Sequence, residues 1–281
     1  MYLKNIIGGA QTMISKKITL TSFKTSMVFI GTILLCVVLS IICLVAIYPS
    51  INSGNAYADL LNSMPKELLS GLGMSGDVSN FNDYLNMNFY NSIYLYIMIT
   101  FVVCLSSKLV AKPLGDTSLV YFLNSPVSRK KFLVSQMVVF NVSLFIIFVS
   151  SVVFGIISKA IFVDSKAFNV GDFVKCNVEL IVIFLLLGAI CFLISTVSNN
   201  GSQATTYAAT VVIVEYILDM FAKITSKLEV LKSFTIFTVY DTEKISDSTS
   251  YVAVSCIIMV VISIILYIAS AEYFKRRDLY L

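Results

Sequence analysis

Histidine is absent from this sequence of 281 residues. Its absence excludes the catalytic triads, zinc sites and proton relays that are built on histidine. Charged residues are scarce as well, at 13% of the chain, whereas hydrophobic residues make up 58%. Because a soluble domain carries about 25% charged residues, this chain has too few polar groups to cover a soluble surface. We therefore expect an integral membrane protein.

Motifs for several other kinds of chemistry are missing. The glycine-rich stretch 71–76 has no following Lys-Ser/Thr pair and no preceding strand, so it does not predict a phosphate-binding loop. The six cysteines form no CxxC pair, and all but Cys176, which is expected near a water interface, lie in apolar runs. Basic residues are not interleaved with aromatics, and no nucleophile–base pair or metal-ligand cluster is found. We expect no nucleic-acid partner, no catalytic or metal site, and no enzymatic activity.

Six segments are long and apolar enough to cross a bilayer, which takes about 20 mostly apolar residues. The fourth has Glu179 at its first turn, and the fifth contains Glu215 and Asp219. The sequence therefore predicts an all-α, polytopic membrane protein with a single transmembrane domain, 1–281, and no room for an ATPase domain. The predicted spans are 27–48, 90–109, 132–157, 178–197, 204–221 and 251–271.

Basic residues are concentrated before the first predicted span, between the second and third, and after the sixth. With six spans, these three regions lie on one side of the membrane. The opposite loop, 49–89, has a single lysine, Lys66, among four acidic residues. Because cytoplasmic loops carry an excess of Lys and Arg, both termini are expected in the cytoplasm. The basic residues are Lys4, Lys16, Lys17, Lys24, Lys108, Lys112, Arg129, Lys130, Lys131, Lys275, Arg276 and Arg277.

Two short segments outside the spans have a helical pattern. Ile7, Ala10, Ile14 and Ile18 are spaced as on one helix face, which predicts a cytoplasmic helix in the membrane interface; a frayed leader is the alternative. The second segment is the loop between the second and third spans.

Leu119, Phe122 and Leu123 form an apolar edge in this cytoplasmic loop, at the i, i+3, i+4 spacing of a helix. Pro126 ends the pattern because the residue before a proline avoids the helical conformation. The loop therefore predicts a helix of two turns. Its apolar edge either meets a partner protein or lies on lipid headgroups.

The same loop carries a resemblance to a known family. The stretch 115–129 ends in Leu-Asn-Ser-Pro-Val-Ser-Arg and resembles the first cytoplasmic loop of ABC-2 type ABC transporter permeases. Further fragments resemble that family in the expected order: 64–69 its first outer loop, 234–241 its last outer segment, and 274–279 its C-terminal end.

The resemblance implies the transmembrane permease subunit of an ABC exporter in the bacterial plasma membrane. Two copies of a separate ATP-binding subunit would bind ATP and Mg, and this chain itself would bind no cofactor. A second permease chain, identical or related, would complete the transporter. The loop helix would be the coupling helix, with Leu119, Phe122, Leu123 and Arg129 contacting the ATPase.

The acidic pair in the fifth span has two interpretations. Glu215 and Asp219 are four residues apart, hence on one helix face, and Glu215 lies near mid-depth. Either they line the translocation path, which suits an amphipathic peptide or hydrophobic antimicrobial, or Asp219 lies at the outer interface and Glu215 is paired within the bundle.

The alternative function is a stand-alone secondary transporter or channel, although no inverted repeat is found.

Overall fold

The computed structural model describes residues 14–52, 56–74, 80–115, 128–163, 168–224, 230–232 and 235–277. Within these ranges every regular element is a helix and no β-strand occurs, as predicted. Shorter helices, Ala56–Ser63, Lys66–Gly71 and Thr242–Asp247, lie in the connections. The long helices are α1 (Lys16–Asn52), α2 (Phe81–Gly115), α3 (Arg129–Phe162), α4 (Val170–Val197), α5 (Gly201–Ile224) and α6 (Thr249–Arg276).

Five of these helices, all except α5, are long and apolar enough to cross a membrane. The chain is therefore a multi-pass membrane protein. Helix α5 contains the predicted span 204–221 but also carries Glu215, Asp219 and Lys223. Its apolarity alone does not confirm a sixth crossing, which stays a prediction.

Helix α5 nevertheless reaches both ends of the bundle. At its start, the Ser107 hydroxyl near the end of α2 donates to the Gly201 carbonyl at 2.8 Å. At its end, Ile224 packs against Gly71 so closely that a Cβ there would lie 2.5 Å from Ile224 Cγ1. With 24 residues, α5 is about 36 Å long, which exceeds the roughly 30 Å of a hydrocarbon core.

One end of the bundle, here called the basic end, is formed by the starts of α1, α3 and α5 and the ends of α2, α4 and α6. The Ser15 amide before α1 donates to Ser135 Oγ in α3 at 2.9 Å. Arg129 at the start of α3 donates to the carbonyl of Arg277 after α6 at 2.6 Å, and Arg277 donates to the Thr196 carbonyl in α4 at 2.6 Å. Since α2 ends and α5 starts here as well, all the described basic residues of the predicted cytoplasmic regions share this end.

The first helix begins earlier than its predicted span. Helix α1 starts at Lys16 and is continuous to Asn52, and Ile18 is buried within its first turn. Of the residues of the predicted interfacial helix, Ile18 therefore belongs to α1, whereas Ile14 precedes it. Ile7 and Ala10 lie outside the described residues.

The fourth helix also begins earlier, at Val170 rather than at residue 178. The Asn169 side chain caps it by accepting from the Gly171 amide at 3.0 Å and the Asp172 amide at 3.4 Å. Asp172 and Lys175 form an ion pair at 3.0 Å within the added turns. These charged residues interrupt the apolar run but not the helix, so hydropathy alone placed its start too late.

Aromatic rings from α2, α3 and α4 fill the centre of the bundle. Phe140 of α3 stacks on Phe101 of α2 with centroids 6.3 Å apart, and meets Phe192 of α4 edge-on at 6.2 Å. Gly188 of α4 lies directly against Phe140, because a Cβ there would be 2.4 Å from its Cε1. Close approach of α3 and α4 therefore requires a residue without a side chain at this position.

We expect Gly188→Ala to destabilise the protein by about 1–3 kcal/mol, because the added methyl overpacks a ring held on both sides. Gly31→Ala is the matched control, since a Cβ at Gly31 has nothing within 4 Å and alanine favours a helix. The measurement is thermal unfolding of each purified variant in the same detergent. Equal unfolding temperatures for the two variants would contradict the packing described here.

Candidate functional site

The segment 235–241, between α5 and α6, folds back onto the two acidic residues of α5. The Ile236 amide donates to Glu215 Oε2 at 3.1 Å. The Thr238 hydroxyl donates to Asp219 Oδ1 at 2.9 Å, and Thr235 and Thr238 hydrogen-bond each other. Both carboxylates that the sequence singled out therefore hold this segment at the end opposite the basic end.

Asp219 also forms an ion pair within α5. Lys223 Nζ lies 2.6 Å from Asp219 Oδ2, and the side chains are 27% and 5% exposed, respectively. A buried carboxylate is tolerated when it is paired and hydrogen-bonded. Asp219 meets both conditions, so its burial is explained by contacts within the chain.

The same segment reaches α2, α4 and α6 through tyrosines. Tyr240 donates to Asn86 Oδ1 at 3.1 Å, and the Asn86 amide lies 3.9 Å from Cys176 Sγ of α4. Burial raises the pKa of Tyr240 well above its ordinary value, so the hydroxyl is a permanent donor. Tyr251 of α6 donates to the Val239 carbonyl at 3.0 Å.

Helix α2 is π-helical over Asn86–Tyr94, and this stretch places buried polar groups among the helices. The Tyr90 hydroxyl and Asn177 Oδ1 are buried without a hydrogen-bond partner among the described residues. π-helical turns occur frequently at functional sites. Nothing in the sequence analysis indicated this feature, and the predicted span 90–109 begins in the middle of it.

Glu179 is a third acidic residue at membrane depth. Its side chain is fully buried, Oε1 has no partner among the described residues, and Oε2 accepts from Cys256 Sγ of α6 at 3.5 Å. Since α4 starts at Val170, Glu179 lies nine residues inside the helix, or about 13 Å. The sequence placed it at the first turn of a span and so did not identify it as a candidate.

Polar side chains are also exposed on α2 and α5, on two different sides of α5. Tyr96 and Tyr216 hydrogen-bond through their hydroxyls at 3.1 Å. Along α5, Gln203, Tyr207 and Thr210 are exposed at helical spacing on one face. The Thr210 hydroxyl donates to the Thr206 carbonyl at 2.9 Å, whereas the exposed Gln203 amide and Tyr207 hydroxyl would find no hydrogen-bond partner in hydrocarbon.

The remaining predicted residues fall in different places. Leu119, Phe122 and Leu123 lie outside the described residues, and Arg129 is hydrogen-bonded to the end of the chain at Arg277. Cys176 was expected near a water interface, and this prediction is wrong. It is buried within α4 at 2% exposure, because the helix begins six residues before it.

Among the described residues, five long apolar helices that pack around a common core define the chain as a multi-pass membrane protein. It belongs to the family described as Protein of unknown function (DUF2705), whose family model matches residues 66–280. No curated protein and no solved structure is detectably similar to the chain.

We expect Asp219→Ala to release the segment 235–241. The change removes the ion pair to Lys223 and the bond from Thr238, and a hydrogen bond to a charged group contributes about 1.5–3 kcal/mol. Asp219→Asn is the matched variant and should have a smaller effect, since the amide oxygen still accepts from Thr238. The measurement is amide hydrogen exchange of residues 235–241. Unchanged protection in Asp219→Ala would contradict the role given to this carboxylate.

Proposed function

We propose that this protein is the permease subunit of an ATP-driven exporter, with six membrane crossings and both termini in the cytoplasm of a bacterial cell. The observation that carries the proposal is the basic end. It collects the start of α1, the end of α2, the start of α3 and the end of α6, together with their basic residues. By the positive-inside rule, this end faces the cytoplasm.

The two helix ends that flank the predicted coupling loop belong to the same end. Helix α2 ends at Gly115 and α3 begins at Arg129, both at the basic end. An ATP-binding subunit at the cytoplasmic face would therefore meet Leu119, Phe122 and Leu123 first. The resemblance of this loop to that of ABC-2 permeases supports the same placement.

The exposed polar face of α5 that carries Gln203, Tyr207 and Thr210 is the proposed translocation path. A second permease chain, identical or related, would cover these residues and remove them from lipid. Glu215 and Asp219 lie further along α5 and are turned from that face toward the segment 235–241, so we assign them to the outer end of the path, beside that segment. A path that combines hydroxyls, aromatic rings and carboxylates suits an amphipathic peptide or hydrophobic antimicrobial.

A second candidate is a stand-alone secondary transporter, and the observation that favours it is Glu179. Carboxylic groups at membrane depth serve as proton relays in such proteins. The two candidates differ in their energy source. Transport that persists without any ATP-binding subunit, and that Glu179→Gln abolishes, would favour the second.

The coupling role is tested at Phe122. Burial of one large apolar side chain stabilises an interface by about 1.5–3 kcal/mol, and an aspartate there adds a desolvation cost. We expect Phe122→Asp to weaken docking of the ATP-binding subunit by about a hundredfold, while Phe122→Leu retains most of it. The measurement is co-purification of that subunit with equal amounts of each tagged permease. Normal co-purification and export with Phe122→Asp would refute the coupling role.

The six-crossing topology is tested with two introduced cysteines. Ser246→Cys and Lys275→Cys are both at exposed positions, near opposite ends of the bundle. A membrane-impermeant maleimide added to intact cells should label the first above the wild-type background and should reach the second only after the cells are opened. Labelling of both in intact cells, or of Lys275→Cys alone, would contradict the proposed topology.

A further inference from the structure

A cleft of about 700 Å³ lies at the basic end, between the end of α2 and the start of α5. The two helices are in close contact beside it, since a Cβ at Gly115 would lie 2.9 Å from Asn200 Cβ. Pockets of this size accommodate a small ligand or a lipid headgroup. The polar residues that line it include Ser107, Lys108, Lys112, Asn200, Ser202 and Thr206.

The cleft is positively charged. Of the described residues that line it, two are lysines and none is acidic. No carboxylate of the described residues pairs with Lys108 or Lys112. Lys108 is held in place instead, because its Nζ donates to the Thr25 carbonyl at 3.2 Å and lies 5.7 Å from the centre of the Phe29 ring.

Further hydrogen-bond donors come from the first turn of α5. The first four amides of a helix lack partners within it. Asn200 accepts from two of them. Its side-chain oxygen accepts from the Gln203 amide at 2.9 Å, and its backbone carbonyl accepts from the Ala204 amide at 3.1 Å. The two preceding amides belong to Gly201 and Ser202, both of which line the cleft. These amides and the Ser202 hydroxyl favour an anion beside the two lysines.

The cleft extends along α2. Its lining runs from Lys112 to Cys104 on α2, eight residues or about 12 Å along the helix. Beyond Thr206, the exposed side chains of Ile213 and Ile217 continue on the same side of α5. An exposed apolar surface therefore lies about 10 Å further along α5 than the polar, basic pocket, on the same side of the helix.

We propose that this cleft binds the phosphate group of an anionic membrane lipid. The phosphate lies between Lys108, Lys112 and the first turn of α5, and the acyl chains lie along Ile213 and Ile217. Basic pockets between transmembrane helices bind anionic headgroups in this way. A free phosphate compound shares the headgroup chemistry but has no acyl chains to contact the apolar surface. The site does not depend on an ATP-binding subunit or on transport.

The test measures lipid binding to the purified chain by native mass spectrometry, with phosphatidylglycerol and phosphatidylcholine as probes. A lysine near a membrane surface contributes about 1 kcal/mol to binding of anionic lipid, which is roughly fivefold. We expect the double variant K108Q/K112Q to bind phosphatidylglycerol about 25-fold more weakly. Phosphatidylcholine binding should be unchanged.

The matched control is K130Q/K275Q, which removes the same charge from the same end but outside the cleft, and should change the affinity less than twofold. Thr206→Phe fills the cleft without changing its charge and should also lower phosphatidylglycerol binding. Thermal unfolding in phosphatidylcholine verifies that each variant is folded.

Inorganic phosphate separates the two sources of the anion. If it stabilises the wild type but not K108Q/K112Q, and phosphatidylglycerol is not preferred over phosphatidylcholine, the site takes a soluble phosphate compound and the lipid assignment is overturned. If K108Q/K112Q binds phosphatidylglycerol as tightly as K130Q/K275Q does, the cleft is not an anion site and the proposal fails entirely.

Discussion

Polar groups placed among membrane-spanning helices must find their partners within the protein, because hydrocarbon supplies none. For three such residues the requirement is met by the segment 235–241. It brings a backbone amide to Glu215, a hydroxyl to Asp219 and a phenol to Asn86. Helices α2 and α5 are thereby joined at one end of the bundle by residues that belong to neither of them.

The apolar part of the fold obeys a related constraint. Lipid is as apolar as leucine, so helices associate through close packing rather than through the hydrophobic effect. Glycines serve this purpose at several crossings. Gly188 admits the ring of Phe140, and a Cβ on Gly155 would lie 3.0 Å from both Ile41 and Phe173. Tight helix contacts and satisfied polar groups together fix where each helix begins, ends and faces.

Hydropathy and charge were sufficient to predict the helical class, the membrane location and the grouping of basic residues. They failed where a helix continues through charged residues. Asp172 and Lys175 neutralise each other within α4, yet each lowers the local hydropathy, so the span was started too late. That error placed Glu179 at a membrane surface and Cys176 near water, whereas both are buried.

The contacts of the segment 235–241 could not be predicted from the sequence, for a different reason. Thr235, Ile236 and Tyr240 follow neither a helical nor a strand period, and their partners are 16 to 154 residues away in the chain. Sequence spacing identified Glu215 and Asp219 as a pair on one face, because a helix fixes that relationship locally. It could not identify which residues pack against that face, because they belong to the segment 235–241, which comes later in the chain.

Under the proposed function, the same contacts determine how a path could open at the outer end. Breaking the hydrogen bonds to Glu215 and Asp219 without replacing them would cost about 3–6 kcal/mol. A peptide substrate can replace one of them directly, since its N–H is chemically the same donor as the Ile236 amide. Glu215 is only partly buried and can accept that exchange. Asp219 stays bound to Lys223 and keeps the Thr238 part of the segment anchored while the part around Ile236 moves.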